Sequence, residues 1–534
     1  MSCNIFRAPP EVFHKIVFFA TLASPLGPPK ELLNCMLVCR IFWERLLPKN
    51  ASQLYFLIFA QKFDARGPIY RLTKDVIHEH APLEMRRRFE AIHIFKNRMF
   101  DHPGLTEALW IAYLMVEDSD TSQKNIKQLL RVGTLTFLDS YLRSRLKDDA
   151  GDNLGWPIVD ENVSLAIALA WTLASPRVMG SEHPDARTEM VTMLKPITFA
   201  SFRYSISCLS PDSFEFADSS HPLTSFLNMT HPSYPISAYP PQQIDYFGAV
   251  KRKARPPLAA IFATLLYFVR VDAEFVTEIP AHVTCETRAE AIQQGLEGPC
   301  AEDFRHFFNH CRTRFADFPG IDVGIQSSSI ATNPDTILCQ PSFYRLGSLT
   351  GQWQGMFIMH GIYSDVSAIH TPAVFDHPSV LETRRPFYLT IEEHYCCDTR
   401  YTVPVNRKQN AIQEAWLPED IQARQTPGGI EFTDEGGTFL TTYTTHTEDR
   451  YRVAWGGYRK IIGRVRLHDG LLALVQSDPD PQLGKMVLNG YVTSSQNLVG
   501  RMRHYRGTSE TRFEGAFSLS KNHTGDATFS FNKF

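Results

Sequence analysis

Three small clusters have residue types and spacings that can do chemistry. His306 and His310 lie one helical turn apart with Cys311 beside them, so a helix would bring two ring nitrogens to one face, where a metal could share them. No third histidine or carboxylate stands at a usual spacing, and packed or exposed helix residues are the stronger reading. Cys396 and Cys397 are vicinal thiols, but on a strand they point to opposite faces, which argues against a redox pair. Asp478-Pro-Asp480 offers paired carboxylates to a cation, and equally the side chains that initiate a turn, which is favoured.

The motifs of group transfer are missing. There is no Gly-x4-Gly-Lys-Ser/Thr phosphate loop, no Gly-x-Ser-x-Gly nucleophile turn and no Cys-x-x-Cys pair for zinc. Without a cysteine-rich cross-brace the chain is not expected to be a RING ligase. We expect no catalytic residue, no metal and no cofactor; a binding role is the better expectation.

The elements that carry such a role begin with Pro9 to Asp64. Pro9 and Pro10 suit a first helical turn, where a backbone N–H has no acceptor, and Glu11 favours the positive end of the helix dipole. Val12, Ile16 and Phe19 form one apolar stripe, with Phe13, Val17 and Ala20 beside it. Ser24-Pro-Leu-Gly-Pro-Pro29 breaks the chain, and a second helix carries Leu33, Met36 and Leu37 beside Leu32, Cys35 and Cys39. So small a module is near the lower limit for burying a core unaided, so its excess apolar surface covers either the rest of this chain or another protein.

The run Pro9-Pro-Glu-Val12, Ile16 and Leu37-Val-Cys-Arg40 resembles the F-box, the adaptor-binding module of cullin-RING ubiquitin ligases. The break at 25–29 and the sequel Leu54 to Asp64 are similar to a group of large fungal F-box proteins; Ala8 stands where the F-box usually carries Leu. The resemblance directly covers about the first tenth of the chain. It implies a substrate receptor of an SCF-type ligase in which Pro10, Glu11, Val12, Ile16, Leu32, Leu33, Leu37, Val38 and Phe42 contact a Skp-family adaptor. Through the adaptor the chain would join a cullin scaffold and present an unknown protein target, with catalysis in other subunits.

The 534 residues, 43% hydrophobic and 21% charged, are ordinary globular material, and a net charge of −3 gives no global field for nucleic acid or an anionic membrane. Arg86-Arg-Arg88 reads as a solvated helix face, and Lys251-Arg-Lys-Ala-Arg255 as a solvated segment or a nuclear-import signal. The longest apolar run, Leu258 to Val269, is short of the roughly 20 residues that span a bilayer, and no secretory leader is recognisable. Ten scattered cysteines fit a reducing compartment, so the expected location is cytoplasmic and/or nuclear.

The expected fold class is α+β: the F-box and an irregular helical array, then an all-β C-terminal domain built as an antiparallel barrel. Residues 1–64 hold the F-box and a linking helix with Leu54, Leu57, Ile58 and Phe63. Residues 65–335 form the array, with a helical segment at 73–100 interrupted by Pro82 and a Pro/Ser-rich loop at 209–248; residues 336–534 form the β-domain. There Phe387, Leu389 and Ile391, and Phe513, Gly515, Phe517 and Leu519, alternate with polar residues as in half-buried strands, and Asp469-Gly470 marks a hairpin. Gly351-Gln-Trp353 with Gly355 resembles the opening of lipocalin-like (calycin) barrels, in which the Trp closes one end under a basic residue; Lys521 would take that part. A core Trp beside a glycine turn is the competing reading. The resemblance implies, as an alternative function, a small apolar ligand in the barrel.

Overall fold

In the computed structural model the described residues are 8–148, 151–200, 203–204, 206, 242–254, 256–274, 279, 281–316, 348–360 and 371–376, with the strand segments named below beyond residue 381. Proline at the first position of α1 (Pro10–Thr21) removes an N–H that would have no partner, and Glu11 stands in the first turn. The second apolar stretch divides into α2 (Lys30–Met36) and α3 (Arg40–Leu46), giving three short helices rather than two. Extended backbone at Cys39 turns the chain so that Phe42 meets Phe13, ring centroids 4.5 Å apart. α4 (Ser52–Lys62) buries Leu54, Ile58 and Phe59 and leaves Leu57 on its outer side.

The array continues through α5 (Arg66–Arg71), α6 (Lys74–Lys96), α7 (Leu105–Glu117), α8 (Lys124–Arg131), α9 (Thr134–Arg143), α10 (Glu161–Thr172), α11 (Pro176–Ser181) and α12 (Pro184–Phe199). After the hairpin β1 (Gln242–Tyr246) and β2 (Val250–Ala254) come α13 (Ala259–Glu274), α14 (Arg288–Gln293) and α15 (Ala301–His310). Pro82 does not interrupt α6: it removes one N–H, while Ile77, Ala81 and Met85 on the buried face hold the helix together. Among the described residues no helix is long and apolar enough to cross a membrane.

Two expectations about this region are corrected. Arg86 is exposed, but Arg88 is only 1% exposed: Nε donates to Glu84 (2.8 Å), Nη1 to Asn125 (3.2 Å), and Asp118 lies 3.5 Å from Nη2. Its guanidinium lies over the rings of Phe59, Phe63 and Phe247, so a face that reads as solvated contains a buried, paired cation. The end of the supposed loop at 209–248 is strand β1, whose Tyr246 is buried and donates to Asp118 at 3.0 Å. The remainder of that loop lies outside the described residues, apart from Phe247 and Gly248 just after β1. Phe247 takes φ 58°, costly for a bulky side chain, and is held there by edge-on packing against Phe59.

The C-terminal strands are β3 (Gly351–His360), β4 (Glu382–His394), β5 (Gln422–Thr426), β6 (Gly429–Thr433), β7 (Phe439–Thr442), β8 (Thr444–Thr447), β9 (Ile461–Val465), β10 (Leu471–Ser477), β11 (Lys485–Thr493), β12 (Asn497–Arg506) and β13 (Glu510–Lys521). The chain is thus mixed helix and sheet, with helices N-terminal and most strands C-terminal. All pairings are antiparallel: β5, β6 and β7 form one sheet, and the other runs β9, β10, β11, β12, β13, β3, β4, β8. The expected closed barrel is not sealed by a ladder, because β8 meets β9 at the single pair Thr447 and Ile461. β9 pairs with β10 about Asp469-Gly470, although the turn itself lies outside the described residues.

One face of this sheet gathers Trp353, Leu389, Ile391, Leu472, Leu474, Leu488, Leu498, Phe517 and Leu519 into a buried cluster. The other face is covered as well. Met356, Ile358, Tyr491, Val499 and Ala516 join the apolar cluster of the helices, and α12 and α13 lie against β12 and β13. Ser518 and Ser520, which alternation places in water, are buried, so the strand is covered on both faces rather than half-buried.

Candidate functional site

The inner side of α1–α3 is filled by the module's own residues: Phe13, Val17, Leu32, Phe42 and Leu46 are buried. Arg45 lies over the Phe13 ring, 6.0 Å from its centroid, and donates to Ala8 O at 3.2 Å. Tyr55 in α4 donates to Leu46 O at 3.0 Å and so pins the end of α3.

The outer side keeps its apolar residues in water. Val12 (48% exposed), Ile16 and Phe19 form the stripe along α1, and Leu33, Leu37 (69%) and Val38 crowd the corner between α2 and α3. Exposed single hydrophobics are normal; these six gather on α1, α2 and the turn that follows it, more than scattered exposure gives. Pro10 and Glu11 are exposed at the start of α1, and Lys15, Lys30, Arg40 and Glu44 supply a charged surround. Leu32 (5%) and Phe42 (8%) do not belong to this side: they support it from within. Ile41 and Trp43, absent from the expected set, are exposed on α3; being apolar on the side of the helix away from Phe42 is the signal that marks them.

The module is fixed to the array through its connecting loop. Lys62, fully buried at the end of α4, donates Nζ to Ser24 O, and burial pulls its pKa down while Glu31 opposes the shift. Gly27 N–H donates to Gln128 Oε1 (2.8 Å), and Gln128 Nε2 donates to Lys62 O (3.1 Å). Asp64 accepts from Ser122 Oγ (2.7 Å) and from the N–H groups of Lys124 (3.1 Å) and Asn125 (3.0 Å), an acidic cap on the positive end of α8.

In the β-domain Trp353 is buried and donates Nε1 to Leu349 O at 2.6 Å. Lys521, its register partner in β13, places Nζ 5.9 Å from the Trp353 ring centroid and donates to Ser348 O at 2.5 Å. Gly351 has φ 137°, and a Cβ there would lie 3.0 Å from Lys521 Cε. At Gly355 a Cβ would fall 2.0 Å from Ser518 O, so only glycine lets β13 approach. The structure brings these residues together at the start of β3, far in sequence from α1–α3.

The chemical clusters acquire no catalytic geometry. His306 lies 3.8 Å from Glu302 on α15, both about half exposed, and the His310 side chain lies outside the described residues. Cys311 is buried 2.9 Å from Tyr388 Oη, with burial pushing its thiol up to about 12, so it is inert near neutrality. Cys396, Cys397 and Asp478-Pro-Asp480 lie outside the described residues. Among those described, no group of three or more His, Cys, Asp or Glu is arranged to hold a metal. In comparisons with known proteins the chain matches no family model, no curated protein and no solved structure.

Proposed function

We propose that the chain is the substrate receptor of an SCF-type ubiquitin ligase, working in the cytoplasm and/or nucleus. In this reading Val12, Ile16, Leu33, Leu37 and Val38, with Pro10 and Glu11 at the edge, dock a Skp-family adaptor and through it a cullin scaffold. The observation that carries it is the apolar outer side of α1–α3 on a module whose inner side is already filled. Each such side chain, buried by a partner, contributes about 1.5–3 kcal/mol before the cost of association. The β-domain, an incompletely closed antiparallel barrel in this reading, holds the protein target. The chain supplies proximity: a bound target meets the ubiquitin carrier at raised effective concentration while other subunits do the chemistry.

A small apolar ligand in the β-domain is the competing function. It is disfavoured by Trp353, Leu389, Leu474, Leu498, Phe517 and Leu519, which are buried against one another on the face such a ligand would need. The test is binding of the full chain to a purified Skp-family adaptor, with Val12→Asp and Leu37→Asp as variants. Submicromolar binding by the wild type, lost in both folded variants, is expected; no binding by the wild type would overturn the receptor reading.

A further inference from the structure

A strand face carrying Arg501, Ser518 and Ser520 has the composition of a surface, yet all three are buried where β12 and β13 meet the helices. Arg501 supplies the most directional contact. Its Nε donates to Thr198 O (3.0 Å) and Nη2 to Ile197 O (2.7 Å), carbonyls in the last turn of α12 that no helical N–H reaches. Nη1 donates to Tyr204 O, just beyond the helix. A cation there also meets the negative end of the helix dipole. A second attachment lies on the same face: Thr313 Oγ1 donates to Ser518 Oγ (3.1 Å), Arg314 N–H to Ser520 Oγ (3.0 Å), and Asn497 Nδ2 to Arg314 O (2.8 Å).

The surrounding apolar contacts of Met356, Ile358, Tyr491 and Val499 hold the two parts together but are non-directional, so they tolerate sliding. A planar guanidinium bonded to three carbonyls does not. We propose that Arg501 is the positioning residue that fixes the orientation of the β-domain on the helical array, and so its distance from α1–α3. The use of that fixed distance in presenting a target rests on the receptor reading above; the clamp itself does not.

The test uses the full chain with a donor and an acceptor dye, attached through non-natural amino acids at the exposed positions Lys15 and Arg385, and single-molecule energy transfer. One narrow distance distribution is expected for the wild type. Arg501→Met is expected to widen it at least twofold with unchanged helix content, and Arg501→Lys, which keeps the charge but not the fork, to lie between. A folded Arg501→Met protein with the wild-type width overturns the proposal. If that variant fails to fold, Arg501→Gln takes its place under the same criterion; failure of both to fold also overturns it, because Arg501 would then be needed for folding rather than orientation. Adaptor binding is read on the same proteins without dyes, because Lys15 borders the proposed docking side. Loss of distance control with intact binding supports the clamp, whereas a wild type that never binds the adaptor sinks the receptor reading and leaves the clamp result standing.

Discussion

The outer sides of α1–α3 and of β12–β13 are opposites. Three helices rich in Val, Ile, Leu and Phe leave apolar side chains in water, while two strands bearing Arg, Asn and Ser bury them under helices. Each reverses the ordinary rule that apolar residues go inside and polar ones outside. The strands show how such a reversal is made stable: every polar group named on that face has a hydrogen-bond partner supplied by α12 or by residues 313–314. The apolar residues on the outer side of the helices stay exposed, and in the reading proposed above they are left for an adaptor.

Breaking the buried polar side should have the largest effect. Arg88→Met takes the buried cation from Glu84 and Asp118, whose remaining partners Arg87 (3.2 Å) and Arg71 (2.6 Å) are less buried, and from the rings of Phe59, Phe63 and Phe247, and should cost about 3–5 kcal/mol in denaturant unfolding. On α1, neighbouring residues should separate cleanly. Phe13→Ala, which empties the space against Phe42, should cost a similar ~3–5 kcal/mol. Equal stability of Phe13→Ala and wild type would mean that the inner side is not a core.

The seam between helices and strands has its own pH dependence. Asp272 in α13 accepts the Thr313 N–H at 2.7 Å, and burial pushes its carboxyl up to about 6, against the opposing effects of that bond, Arg312 and Arg384. Its folded value lies above its unfolded one, so the native state holds the proton more tightly and loses stability as pH rises from about 4 through 6. Asp272→Asn carries no such charge and should gain on the wild type over that window by an amount on the order of 2 kcal/mol, then stay level above it. Denaturant titrations of both proteins at pH 4.5 and 7.5 would measure this; no change in their difference would remove Asp272 as a titrating group of the seam. The smallest effect on stability belongs to Val12→Asp and Leu37→Asp, expected within about 0.5 kcal/mol of wild type because both positions face water. A loss above ~2 kcal/mol would show that these residues pack within the chain and would erase the contrast with the strands.

Legibility followed how local the cause was. The start of α1, the break at 24–29 and the pairing of β9 with β10 follow from proline, glycine and apolar spacing, which act within a few residues. The division of α2 from α3 was not legible, because it depends on an extended Cys39 that lets Phe42 reach Phe13. In the candidate site the resemblance supplied the apolar residues but not their sides, so Leu32 and Phe42 were grouped with residues that face water, and Ile41 and Trp43 were passed over.

By itself the sequence determined that α1 is apolar around most of its girth, that the helices precede the large sheet, and that one face of the strands is apolar, since these are matters of period and composition. Only the tertiary structure decided which apolar stripe stays in water and which polar groups are buried. Arg88 lies 30 residues from Asp118, and Arg501 lies 303 from Thr198. A polar side chain is stable inside only when such distant partners arrive to satisfy it, and no local pattern records their arrival.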